Sequence, residues 1–213
     1  MATLHFEVLP PPTKKVFEWL RHQSFIEFFH LAGGTALALY FGHRQSQDLD
    51  FFSNAPFDPG VLMKQLEQFG AWRTVKRLPD TLVGDLERAK LSFFKIPDSP
   101  IRPFHCIDSI QMVDLLDLAL MKIMAISDRG TKRDFIDLYA LCRRFMPLTD
   151  ILAKLPEKYG QWAYNLTHII LSIGYFEDAE KDEPPLMLEP LEWKTVKSFF
   201  HKESERLIKA QIT

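Results

Sequence analysis

Two aspartates one residue apart, Asp48 and Asp50, sit in the run Asp48-Leu-Asp-Phe-Phe-Ser53. On a strand, positions i and i+2 share a face, so both carboxylates project together while Leu49 and Phe51 turn into a core. Adjacent carboxylates repel and raise each other's pKa unless a cation neutralises them. Hard oxygen donors select Mg²⁺ or Mn²⁺, and one or two carboxylates completed by substrate phosphates is the usual Mg²⁺ arrangement. Such a pair can hold two ions roughly 3.5–4 Å apart, one at an attacking oxygen and one at nucleotide phosphates. Taken alone, Asp-x-Asp equally describes two solvated aspartates on a strand edge.

Gly33-Gly34-Thr35 adds a second feature. It lies between the apolar run Phe28 to Ala32 and a helical pattern, which puts its backbone N–H groups at a helix N-terminus, a ready anion site. Glycine allows close backbone approach, and Thr35 or Ser46 can offer a hydroxyl to a phosphate oxygen. The plainer reading is a tight turn with Thr35 as N-cap. Strand, Gly-Gly turn, short helix and a strand opening on Asp-x-Asp are together far more specific than either half.

The elements that must position these groups follow from periodicity. Residues 13–29 read as an opening helix preceded by prolines at 10–12. Thr35 to Gly42 reads as a short helix stopped by its glycine. Asp48 to Ser53 reads as a strand, Asp58 to Phe69 as a helix, and 71–78, 81–86 and 88–96 as successive strands, with 104–107 one more. From Ser109 the pattern turns helical: 109–127 with Ser109 as N-cap, then 131–145, 149–158, 161–176 and 190–210. The acidic stretch Glu177 to Glu183 with Pro184-Pro185 marks a loop. The expected class is α+β: a mixed sheet flanked by helices over residues 1–108, followed by a helical region over 109–213.

The bulk composition excludes several classes. The chain has 213 residues, 46% hydrophobic and 25% charged, which fits an ordinary globular protein with one good core rather than a disordered chain. No apolar run reaches the length of a membrane span, and Met1 to Pro12 does not read as a signal peptide. The expected location is the cytoplasm, with no membrane partner. Cys106 and Cys142 belong to no Cys-x-x-Cys pair and read as buried free thiols. The seven histidines show no helical His-x-x-x-His pair, so a structural zinc is not expected; His43 reads as a packing histidine. A net charge of −2 does not advertise nucleic acid. Basic clusters occur at Arg73, Lys76 and Arg77 and at Arg129, Lys132, Arg133, Arg143 and Arg144, each most simply a solvated face.

The stretch from Leu31 to Ser53, Leu-Ala-Gly-Gly-Thr-Ala-Leu-Ala-Leu-Tyr-Phe-Gly-His-Arg-Gln-Ser-Gln-Asp-Leu-Asp-Phe-Phe-Ser, resembles the signature of the AbiEii/AbiGii family. These are nucleotidyltransferase-like toxins of abortive-infection and toxin–antitoxin systems, within the DNA polymerase β-type nucleotidyltransferase superfamily. A second block, Asp117-Leu-Ala-Leu-Met-Lys122 with Arg129-Gly130-x-x-Arg133-Asp134-x-x-Asp137-Leu138, resembles the family's later motif, and Lys90-Leu-Ser-Phe-Phe94 resembles a subgroup. The likeness runs over roughly residues 14–145.

The resemblance implies a Mg²⁺- or Mn²⁺-dependent enzyme that moves a nucleoside monophosphate from an NTP to an RNA (tRNA) or protein acceptor, with a cognate antitoxin as partner. It implies Asp48 and Asp50 as metal ligands, and Gly33, Gly34, Thr35 and Ser46 as the phosphate-binding part. Lys122 takes the triphosphate as a point charge, Asp134 or Asp137 is the later aspartate, and Arg44 and Arg133 bind phosphate or ribose. Asp134 also stands three residues after Thr131, a capping-box spacing. One departure matters. Superfamily members often carry a third metal carboxylate on a neighbouring strand, where this chain has Lys90 and Ser92. Either Asp134 or Asp137 supplies that charge, or metal binding is weaker. Two other outcomes share the motifs: a non-catalytic binding module of the same fold, and a transferase acting on small molecules such as antibiotics.

Overall fold

The computed structural model describes residues 4–97, 99–160 and 164–212. They form two compact units, Met1–Asp114 and Leu115–Thr213.

The first unit is built on a seven-stranded sheet in the order β3-β4-β5-β2-β1-β7-β6. The strands are β1 (His30–Ala32), β2 (Asp48–Ser53), β3 (Trp72–Leu78), β4 (Thr81–Leu86), β5 (Ala89–Lys95), β6 (His105–Ile107) and β7 (Ile110–Met112), with helices α1 (Pro11–Leu20), α2 (Gly33–Phe41) and α3 (Pro59–Leu66). The sheet is mixed: β2–β5 and β1–β7 are parallel, the remaining pairs antiparallel. Along β2, Leu49, Phe51 and Ser53 are buried while Asp48, Asp50 and Phe52 are half-buried, the period-2 pattern expected of a strand with one face on a core. Phe51 stacks on Phe93 with centroids 5.2 Å apart, and Phe29 meets Phe93 edge-on at 5.1 Å. Each such ring contributes about 2–3 kcal/mol through burial. Helix α2 is apolar on nearly every side, with Thr35 through Leu39 all buried, as a central helix must be. Gly42 ends it at φ 64°, and a Cβ there would fall 2.7 Å from the His5 ring. No described helix is long and apolar enough to cross a membrane. Cys106 and Cys142 are free, but Cys106 is exposed and Cys142 only partly buried, where both were expected to be buried.

Two elements of this unit differ from the sequence reading. The opening helix stops at Leu20 and resumes only as a 3₁₀ turn, Ser24–Phe28. The buried stripe Val16, Phe17, Leu20 would next fall at Gln23 and Ser24, both polar, so the amphipathic period fails there. The helix expected from Ser109 begins instead at Leu115. Ahead of it Asp108 adopts φ 49° in a two-residue turn that pairs Ile107 with Ile110, and Ile110 and Met112 bury while Gln111 faces outward. An Asp in the left-handed region at a two-residue hairpin is a turn signal; it was masked by the helical run behind it.

The second unit comprises α4 (Leu115–Asp128), α5 (Lys132–Arg144), α6 (Leu148–Leu152), α7 (Leu155–Tyr159), α8 (Leu166–Ile173), α9 (Glu177–Glu180) and α10 (Trp193–Ile212). Phe135 is its aromatic centre, with Phe176 at 4.9 Å, Phe200 at 5.7 Å and Trp193 at 6.0 Å. The span 149–158 is two short helices because Pro156, which lacks an N–H, takes the first turn of the second. The first three positions of the helix expected over 161–176 lie outside the described residues; the rest gives α8, capped by Asn165, whose side chain accepts from His168 N at 3.0 Å. The acidic stretch read as loop holds the single turn α9.

Candidate active site

The first unit assembles the glycine turn and the aspartate pair through strand register. β1 runs antiparallel to β2 with Ala32 opposite Asp50, so the chain turns into α2 directly beside that carboxylate. Gly33 makes the turn at φ 69°, and a Cβ there would stand 3.1 Å from Asp50 Oδ2. Only glycine adopts that backbone cheaply and leaves the carboxylate its space. Gly33 and Gly34 open α2, the helix end that carries partial positive charge.

Thr35 does not serve as N-cap: it lies inside the first turn and is buried. Its hydroxyl donates to the main-chain carbonyl of Asp48 and lies 2.7 Å from Ser46 Oγ. With a single hydroxyl proton, Thr35 ties α2 to the start of β2, and Ser46 completes that link. Arg44 is buried, with Nη1 donating to the Gln45 carbonyl at 2.9 Å.

Across the sheet, Asp48 pairs in register with Lys90, Lys90 with Asp85, and Asp85 with Arg73. The row alternates in sign. Lys90 Nζ lies 3.8 Å from Asp48 Oδ1, and Arg73 Nη2 donates to Asp85 Oδ2. Opposite Asp50 stands Ser92. The neighbouring strand thus offers an ammonium and a hydroxyl, and no third carboxylate, at these two positions. Among the described residues no three His, Cys, Asp or Glu side chains gather to hold a metal ion. The two aspartates are hard oxygen donors, which suits Mg²⁺ or Mn²⁺ provided substrate phosphates and water complete the shell.

The second unit gathers the later motif. Lys122 on α4 is buried, with Nζ 2.8 Å from Asp134 Oδ1 and 2.7 Å from Asp137 Oδ2 on α5. The two aspartate side chains are 2% and 0% exposed. Arg129 Nε, 3.1 Å away, and Thr131 Oγ1, 2.7 Å away, donate to Asp134 Oδ2. Burial by itself would raise the Asp134 carboxyl; the Lys122 ammonium and the Arg129 guanidinium outweigh it and bring it down to about 2. Thr131 occupies the N-cap position but makes no side-chain cap bond; its hydroxyl goes to Asp134, a variation on the expected capping box. The resemblance assigns Lys122 to a triphosphate, whereas here its ammonium is held by the two aspartates. Arg133, on the same helix, is exposed.

The sequence reading missed a second buried pair, Lys158 Nζ to Asp117 Oδ1 at 2.5 Å. Nothing in the spacing of residues 41 apart announces it. The basic clusters separate. Arg73, Lys76 and Arg77 lie on the exposed edge strand β3. In the other cluster, Arg129 bonds Asp134, Lys132 bonds Asp182 and Arg144 bonds Glu189.

The sequence model of one family, described as nucleotidyl transferase AbiEii toxin, type IV TA system, matches residues 16–102 and 95–206. The chain is 35% identical over 182 residues to uncharacterized protein aq_aa25 of Aquifex aeolicus (strain VF5), a match covering 82% of this chain and 85% of that one. Among solved structures it resembles JHP933 from Helicobacter pylori, with a TM-score of 0.56, 15% identity and 93% and 94% of the two chains covered. It also resembles MenT4, nucleotidyltransferase toxin Rv2826c from Mycobacterium tuberculosis H37Rv, with a TM-score of 0.55, 12% identity and 92% and 84% covered. At these identities the likeness is one of fold, the mixed sheet with flanking and C-terminal helices. The family match spans the glycine turn, the aspartate pair and the lysine–aspartate block, and the chain belongs to the AbiEii family of nucleotidyl transferase toxins of type IV toxin–antitoxin systems.

Proposed function

We propose that the chain is the toxin of a toxin–antitoxin pair and transfers a nucleoside monophosphate from an NTP to a hydroxyl of an RNA acceptor, foremost a tRNA 3′ end. The acceptor hydroxyl gives up its proton to solvent as its oxygen attacks the α-phosphorus, the bond from that phosphorus to the bridging oxygen breaks, and pyrophosphate leaves with that oxygen. The observation that carries this reading is the register of β1 on β2, which sets Asp48 and Asp50 on one face beside the turn at Gly33. Asp48 and Asp50 would hold Mg²⁺ or Mn²⁺. When bound, the ion supplies positive charge to the phosphates and to the attacking oxygen. The amides of Gly33 and Gly34 at the head of α2 face phosphate oxygens, and Thr35 and Ser46 hold that helix on β2. The reading gives Lys122 a triphosphate oxygen and makes Asp134 or Asp137 the later aspartate of the motif. NTPs and RNA put the reaction in the cytoplasm.

The test is incubation with each α-labelled NTP, Mg²⁺ and total RNA. Label should enter RNA with the wild type, and EDTA or Asp48→Asn/Asp50→Asn should abolish it. Equal labelling by that double variant would overturn the assignment; label in protein instead of RNA would overturn the acceptor.

A further inference from the structure

A second feature, remote in sequence from the aspartate pair, lies wholly within the second unit. Where α5 and α10 pack, an open cleft of about 570 Å³ is lined by Arg143, Lys194 and Lys202. Glu192 is the single acid on its wall. All three cations are exposed, and none makes an ion pair with a described residue, unlike Arg129, Arg144 and Lys197 nearby, which bond Asp134, Glu189 and Glu180. A concavity lined chiefly by one sign of charge focuses the field and draws in anions.

Helical spacing orders the groups. Lys194, Ser198 and Lys202 recur every four residues on α10, so they share one face. At 1.5 Å per residue the stripe is about 12 Å long. A stacked single strand rising about 3.4 Å per nucleotide passes about three phosphates over that length. Tyr139 and Arg143 stand one turn apart on α5, and Tyr139 meets Phe199 edge-on, with centroids 5.3 Å apart, on the cleft wall. A free phosphate cannot use such an aromatic pair, whereas nucleic-acid bases stack on aromatic rings.

We infer that this α5–α10 cleft docks single-stranded RNA, with Arg143, Lys194 and Lys202 on successive phosphates and the Tyr139–Phe199 pair against a base. The inference deepens the proposed RNA acceptor by naming a surface for it, and it is tested without the transfer reaction.

The test is fluorescence anisotropy of a labelled single-stranded RNA about 12 nucleotides long, titrated with the full chain in EDTA and without NTP. An inactive transferase and an absent RNA surface then give different results. Three phosphate contacts predict a log–log salt slope of about −2. Arg143→Gln/Lys194→Gln/Lys202→Gln should flatten the slope and weaken binding at least tenfold at low salt, with an unchanged circular dichroism melt because all three side chains are on the surface. Phe199→Leu should weaken RNA at least about fivefold while leaving binding of inorganic polyphosphate unchanged. Unchanged RNA affinity and slope in the triple variant would overturn the site. Equal binding of polyphosphate and RNA, both indifferent to Phe199→Leu, would overturn RNA as its occupant.

Discussion

Lys90 stands opposite Asp48 across the parallel β2–β5 pair, its Nζ 3.8 Å from Asp48 Oδ1. With Ser92 it holds the neighbouring-strand positions where the resemblance implies a third metal carboxylate, so the chain supplies its own monovalent counter-charge to one of the two candidate ligands. Lys90 is 55% exposed and Asp48 22%, which keeps the interaction in the screened, near-surface range of about 1 kcal/mol or less.

Replacing Lys90 by Met therefore removes a competitor of the metal ion. Without nucleotide, Mn²⁺ affinity measured by electron paramagnetic resonance should rise by up to about fivefold, the factor for 1 kcal/mol, and the gain should shrink as salt is added. Affinity that falls or stays unchanged would mean that Asp48 does not hold the ion.

Gly33 is the second place where geometry dictates a result. Gly33→Ala places a Cβ in a backbone at φ 69° and 3.1 Å from Asp50 Oδ2. The backbone strain costs about 1–2 kcal/mol, read as a lower urea midpoint. Asp50 must also shift, so labelling of RNA should fall by more than the loss of folded protein explains. A variant as active per folded molecule as the parent would separate Gly33 from the site.

These two positions show what a sequence can reveal. The Asp-x-Asp face and the glycine turn are local, set by strand alternation and by the residue types themselves, and α2, β2, β3, β4 and β5 follow from periodicity. Register is not local. That Lys90 meets Asp48, and that Ala32 meets Asp50, depends on which strands pair. The buried partners Lys122–Asp137 and Lys158–Asp117 likewise join separate helices, and no amphipathic pattern predicts an ion pair inside an apolar face. The short strand β7 escaped for a different reason: three residues give too little alternation to compete with the helical run that begins at Leu115.

Lys122 tests that hidden layer. Lys122→Met removes the ammonium that Asp134 and Asp137 share, two carboxylates buried inside the second unit. Breaking such a buried set by removing one partner costs about 3–5 kcal/mol, measurable by urea denaturation. Adding Asp137→Asn to Lys122→Met should recover at least about 1 kcal/mol, a coupling that independent residues would not show. If Lys122→Met is as stable as wild type yet inactive, the ammonium acts on substrate and not on the helix pair.

Asp134 turns the same cluster into a pH dependence. Its carboxyl is held at about 2, against an ordinary value of 3.8. A depressed carboxylate is stabilising wherever it is ionised in both states, and that contribution fades as protons bind the unfolded chain first. The effect is thus full above about pH 4 and disappears as pH falls toward 2. A shift of nearly two units corresponds to about 2 kcal/mol, supplied chiefly by Lys122 and then by Arg129 against the cost of burial. Urea midpoints of wild type and Asp134→Asn, measured at intervals between pH 6 and 2, should differ most above pH 4 and converge at the acid end. The comparison isolates the Lys122 cluster, because the carboxylates away from that ammonium titrate alike in both proteins. A gap that stays constant across the range would show that Asp134 is not the group whose ionisation holds α4 on α5.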